Sequence, residues 1–121
     1  MEKDERKNLL DILKINPNDM DVRIALLDCD LKLCRQQQPD ENEALAMDVL
    51  AYAPLVLEIG MRGCDIVYRA SSRLADAVSS PKLRYDLLGI AIEALFRIEA
   101  ETGHELGITE DLVRERGKLK W

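Results

Sequence analysis

The run Pro81-Lys-Leu-Arg-Tyr-Asp-Leu-Leu-Gly-Ile-Ala-Ile-Glu-Ala-Leu-Phe-Arg-Ile-Glu-Ala-Glu-Thr102 decides the fold. Leu83, Leu87, Ile90 with Ala91, Ala94 with Leu95, and Ile98 recur at steps of three and four, the repeat of one helix face. Ser79-Ser80-Pro81 sets a capping serine ahead of a proline at the first helical position, where its missing N–H costs nothing. Gly103 follows as the C-terminal cap. A long one-sided helix needs other helices to cover its stripe.

Upstream, Ile66 with Val67, Ala70, Leu74, and Ala77 with Val78 mark a helix over residues 64–79. Its other face carries Asp65, Arg69, Arg73 and Asp76, with Asp65–Arg69 at ion-pair spacing. A first helix spans residues 3–15 with Leu9, Leu10, Ile12 and Leu13 as its stripe. It breaks at Asn16-Pro17-Asn18-Asp19, where Asn18 or Asp19 caps a second helix over residues 20–37. Val22, Leu26, Cys29 and Leu33 share one face of that helix; Asp21, Asp28, Lys32 and Arg35 take the other.

Residues 36–40 read as a loop. A third helix starts near Asp40 and runs through Ala44, Met47, Leu50 and Ala51 until Pro54 ends or kinks it. Its surroundings are apolar on nearly all sides, so this stretch is expected to lie deepest. Downstream, Thr109 is expected to cap a last helix over residues 110–119, acidic at its start and basic at its end in line with the helix dipole.

No segment alternates with period two. The expected fold is all-α, five to six helices in a compact bundle, one domain over residues 1–121. The expected core is Leu13, Val22, Leu26, Cys29, Leu50, Leu57, Ile66, Ala70, Leu74, Leu87, Ala91, Ala94 and Ile98.

Composition narrows the function. Hydrophobic residues make up 47% of the 121 and charged residues 33%, enough for a core and too apolar for a disordered chain. Lys+Arg 17 against Asp+Glu 23 leaves −6, and aromatics are 4%, so no nucleic-acid partner is expected. No signal peptide and no membrane span are visible, and Cys29, Cys34 and Cys64 are too few and irregular for a secreted scaffold. A cytoplasmic location with reduced cysteines is the expectation.

Residues 13–27 resemble the junction between two tetratricopeptide (TPR) repeats. Pro17 matches the repeat-ending proline, Leu26 the leucine of the next helix, and Ala44 and Ala51 the two small residues where such helices pack closely. The resemblance covers roughly residues 10–54 and implies an antiparallel helix pair. Leu27 replaces the family's small residue, the loop at 36–40 is long, and nothing after Gly60 repeats. The positions matching the family's carboxylate clamp carry Ile24, Ala25 and Asp28, so that activity is not implied. The mixture of a repeat-like start with an unrelated continuation is similar to helical proteins computationally recombined from natural fragments, and the terminal Trp121 fits an added label.

Chemistry-bearing motifs are thin. Glu101-Thr-Gly-His104 has the Glu-x-x-His form of di-iron bundles, but His104 is the only histidine and Gly103 sets it beyond the helix. The tail from His104 to Val113 resembles all-α nucleotide pyrophosphohydrolases, yet the required pair of acidic motifs is missing, and Glu93 and Glu99 fall on different faces. Gly60-Met-Arg-Gly63 lacks the Lys-Ser/Thr of a phosphate loop. No base stands at a telling spacing from a serine or cysteine.

The sequence therefore leads to a structural helical scaffold with no catalytic, cofactor or metal site, monomeric and needing no partner if designed. The alternative is a TPR-like interaction module binding a peptide or partner helix in a groove beside the second helix.

Overall fold

A computed structural model describes residues 2–34 and 39–119 of the chain. Helix α1 (Glu2–Ile15) ends at Asn16, and Asp19 opens α2 (Met20–Leu33) by accepting the Val22 N–H at 3.2 Å. The expected continuation of the second helix to Gln37, with Arg35, lies outside the described residues, as does Trp121. The α1–α2 turn is pinned from inside. Arg23, only 7% exposed, donates from Nε to the Pro17 carbonyl at 2.6 Å and from its terminal nitrogen to the Tyr52 carbonyl at 3.2 Å.

Helix α3 (Pro39–Val56) runs on through Pro54, whose missing N–H falls in the last turn. A 3₁₀ turn (Leu57–Ile59) and Gly60, at φ 106°, then reverse the chain. The depth expected around Pro54 belongs to Ala53, Val56 and Leu57, while Pro54 and Leu55 are exposed. The face of α3 is also corrected. Leu45, Ala46, Val49 and Ala53 are buried, whereas Ala44, Met47 and Ala51 face water. Polar partners explain the rotation. Asn42 turns inward to donate to the Ala77 carbonyl at 3.3 Å, and Asp48 turns inward to meet Arg6. The small residues at the packed positions are thus Ala46 and Ala53, seven apart as expected but two places on.

Helix α4 (Met61–Ala77) starts a turn earlier than its stripe suggests. Its first turn lies so close to the end of α3 that a Cβ at Gly63 would collide with the Val56 carbonyl oxygen. Helix α5 (Pro81–Thr102) has both expected ends: Ser80 Oγ accepts the Leu83 N–H at 3.3 Å, and Gly103 is left-handed at φ 73°. Arg84 also reaches back to the Ala75 and Val78 carbonyls, satisfying the end of α4. Helix α6 (Gly107–Gly117) begins three residues before the expected start, so Thr109 is a buried residue inside it rather than its cap.

Helices α2 to α5 enclose the core; α4 lies along α5, and α3 contacts α2, α4 and α5. Helix α1 packs on α2, and helix α6 packs on α5. Among the described residues there is no strand, and no helix is long and apolar enough to cross a membrane. Ten of the expected core residues are buried; Val22, Leu50 and Ile98 are half-buried at its edge. The stripe of α1 is narrower than expected: Leu13 is buried, whereas Ile12 is 44% exposed.

Candidate interaction face

Helix α6 is held to α5 by polar contacts at its two ends and by buried side chains between them. Leu106, at the start of α6, brings no capping side chain, and Glu99 of α5 replaces it. One Glu99 carboxylate oxygen accepts the Leu106 N–H at 2.7 Å and the Thr109 hydroxyl at 2.9 Å. A carboxylate at a helix N-terminus is favoured by the backbone dipoles. At the other end Arg116 donates from Nε to the Tyr85 carbonyl at 3.0 Å, and its guanidinium lies 3.7 Å from the centre of the Tyr85 ring. Gly89 makes room for that guanidinium, since a Cβ there would come within 3.0 Å of it. Between the clamps Thr109 and Leu112 are the buried residues of α6.

An open groove runs along one side of the α5–α6 pair. Its first stretch, about 740 Å³, runs between Phe96 and Leu106 and past Val113 to Glu105 and Glu110. The second, about 430 Å³, continues between Tyr85, Ile92 and Leu119. Both share Phe96 and Val113, which stand at the middle and remain 52% and 46% exposed. Phe96 is the chain's only phenylalanine. Apolar side chains held half in water along a groove mark an interaction surface more often than a lone exposed leucine does. Charged side chains border both stretches: Glu99, Glu105, Glu110 and Arg114 line the first, and Arg116 lines the second.

A second cluster is buried beneath α1. Arg6 Nε lies 2.7 Å from an Asp48 oxygen and 3.4 Å from Asp30. Asp30 is fully buried, and as a carboxylate neither of its oxygens finds a hydrogen-bond donor. Burial, then a hydrogen bond shared with Asp48 and the charge of Asp48, push its pKa up to about 9 against the pull of Arg6. Asp30 is therefore a neutral acid at pH 7, and Arg6 balances Asp48. Asp30 is sealed from solvent, whereas the Asp48 and Arg6 side chains keep 11% and 27% of their exposure.

The remaining sequence-level candidates are not brought together. Glu101 and His104 are both exposed at the end of α5, with the His104 N–H donating to Thr102 Oγ1 at 3.4 Å. Among the described residues no group of three His, Cys, Asp or Glu side chains is placed to hold a metal ion. Cys29, Cys34 and Cys64 are buried, and burial raises the Cys64 thiol pKa. Glu93 and Glu58 both pair with Arg97, at 3.2 and 3.1 Å. Ile24, expected beside a peptide groove on the second helix, lies in the core at 9% exposure.

The groove has a sequence signal of its own. Tyr85, Ile92, Phe96 and Glu99 follow one another at seven, four and three, a second stripe on α5 beside the core-facing one. Comparison with protein-family models, curated proteins and solved structures finds no match for the chain.

Proposed function

We propose that this chain is a non-catalytic helical scaffold that works as a protein-interaction module through the α5–α6 groove. The observation that carries the reading is Phe96, a large aromatic ring held half-exposed at the centre of a groove whose two walls are fixed by Glu99 and Arg116. Rigid aromatic anchors at the centre of a patch, ringed by charge, are the residues that dominate protein contacts. The sealed Asp30 supports the non-catalytic side of the proposal, because an acid that substrate cannot reach transfers no proton to it.

The test is a photoreactive amino acid placed at Phe96 and, separately, at exposed Arg73 on α4, in cells expressing the chain. Protein adducts from position 96 and not from position 73 are expected. Adducts from neither position would overturn the reading.

A further inference from the structure

We propose that the α5–α6 groove docks a basic amphipathic helix of another protein, seating an apolar side chain between Phe96 and Val113. The inference rests on the interaction reading above and adds the chemistry of the partner. Helix α6 runs back along α5, with Thr109 joined to Glu99 and Arg116 joined to Tyr85. The trough between two antiparallel helices accepts the side-chain ridge of a third. Tyr85 to Glu99 spans 14 residues, roughly 21 Å at 1.5 Å per residue, so a helix of about four turns covers it.

Charge then selects the partner. Of the four charged side chains on the first stretch, two are already answered. Glu99 is spent on the Leu106 N–H and the Thr109 hydroxyl, and Arg114 faces Asp111 of its own helix at 3.7 Å. Glu105 and Glu110 are exposed, and among the described residues their carboxylates have neither a hydrogen bond nor an ion pair. The second stretch has no lining carboxylate, and its arginine, Arg116, is engaged on Tyr85. The unmet charge of the groove is therefore negative and confined to the end where α5 turns into α6.

Spacing couples that charge to the apolar seat. Glu110 lies three residues before Val113, one turn away on the same face of α6. A partner helix that sets an apolar residue against Phe96 and Val113 brings its residue one turn away opposite Glu110. A lysine or arginine at that position meets a carboxylate, whereas an aspartate or glutamate meets repulsion. The net charge of −6 draws the same partner from a distance. One short helix face makes a small interface, so a dissociation constant of roughly tens to hundreds of micromolar is expected.

Fluorescence anisotropy tests it with the full chain and a labelled synthetic helix of about 14 residues, leucine on one face and lysines at one end. Saturable binding is expected, and glutamates in place of the lysines should weaken it more than roughly tenfold. Phe96→Ser is expected to cost more than roughly tenfold as well. Glu105→Gln with Glu110→Gln should cost about fivefold, since exposed ion pairs are individually weak. Asp4→Asn with Glu5→Gln removes the same net charge from exposed positions on α1 and should leave the affinity unchanged. No binding, equal binding of the lysine and glutamate peptides, or an equal loss from the α1 pair and the groove pair would overturn the proposal. Sedimentation as a dimer that Phe96→Ser dissociates would put a second copy in the groove and overturn it too. Protein adducts from position 96 alongside any such result would leave the interaction reading standing.

Discussion

Helix α1 packs on α2 and helix α6 on α5, yet the two are fastened differently. Each is laid on one main neighbour, and each uses an arginine and a carboxylate to hold on. In α1 the arginine reaches inward to Asp48 and the fully buried Asp30, and Leu13 is sealed beside the core. In α6 the polar clamps sit at the two ends, and the space between them opens into the groove at Phe96 and Val113. The difference teaches where stability and surface each come from. Burying the polar partners ties α1 to global folding; leaving them at the rim frees an apolar face on α5 and α6 for another molecule.

The largest effect is expected from cutting the α1 fastening. Arg6→Ala leaves the Asp48 carboxylate, nearly buried, without its cation, and losing one member of a buried ionic cluster costs about 3–5 kcal/mol. Because Arg6 itself keeps some solvent access, the lower end of that range is expected. Urea unfolding monitored by circular dichroism measures it. A change no larger than that of Arg116→Ala, which cuts a rim clamp, would break the contrast between the two helices.

The second prediction concerns pH. The ordinary value for Asp30 is 3.8 and burial raises it to about 9, so between those limits the folded chain holds a proton that the unfolded chain has released. Stability from this group is therefore greatest below pH 3.8, falls as pH rises, and is level again above about 9. One proton sets the steepest slope at about 1.4 kcal/mol per pH unit. Asp30→Asn keeps a neutral donor facing Asp48 and removes the slope. Its unfolding midpoint should exceed that of the parent chain at pH 8 and approach it near pH 4. A parent chain whose stability rises from pH 5 to pH 8, unchanged in direction by Asp30→Asn, would show that Asp30 is ionised in the fold.

How much of this was legible beforehand follows from what sets each feature. The ends of α5 were, because Ser80, Pro81 and Gly103 act within one turn of themselves. The Asp19 cap was legible for the same reason. The face of α3 was not, because Asn42 and Asp48 turn inward only when Ala77 and Arg6, far off in sequence, stand opposite them. Asp30 is not legible as a buried residue, because an aspartate amid apolar positions carries no mark of burial; its burial depends on a neutralising proton and on α1. Thr109 looked like a cap by type, but the cap of α6 comes from Glu99 on another helix, a long-range substitution that local pattern cannot contain. The groove was half-legible: the stripe through Tyr85, Ile92 and Phe96 is plain on α5, but whether another helix would cover it is decided by where α6 lands.

That landing is the subject of the smallest expected effect. Glu99→Gln keeps the shape of the side chain and one acceptor oxygen but removes the charge at the start of α6, which is worth about 1 kcal/mol with its two hydrogen bonds. Since Thr109 and Leu112 are the buried residues of α6, the loss should appear as local opening and not as global unfolding. Amide hydrogen exchange followed by NMR separates the two. Protection in residues 107–117 should fall about fivefold, the factor that 1 kcal/mol represents, while amides of α4 and the inner face of α5 keep theirs. Equal loss of protection across α4, α5 and α6 would make α6 part of the same cooperative unit as the core. The groove would then be a rigid feature of the whole fold, and a partner bound there would stabilise the entire bundle. Loss confined to α6 would mean that a partner on Phe96 and Val113 orders this helix first, so that binding is read as protection of α6 before anything else in the molecule.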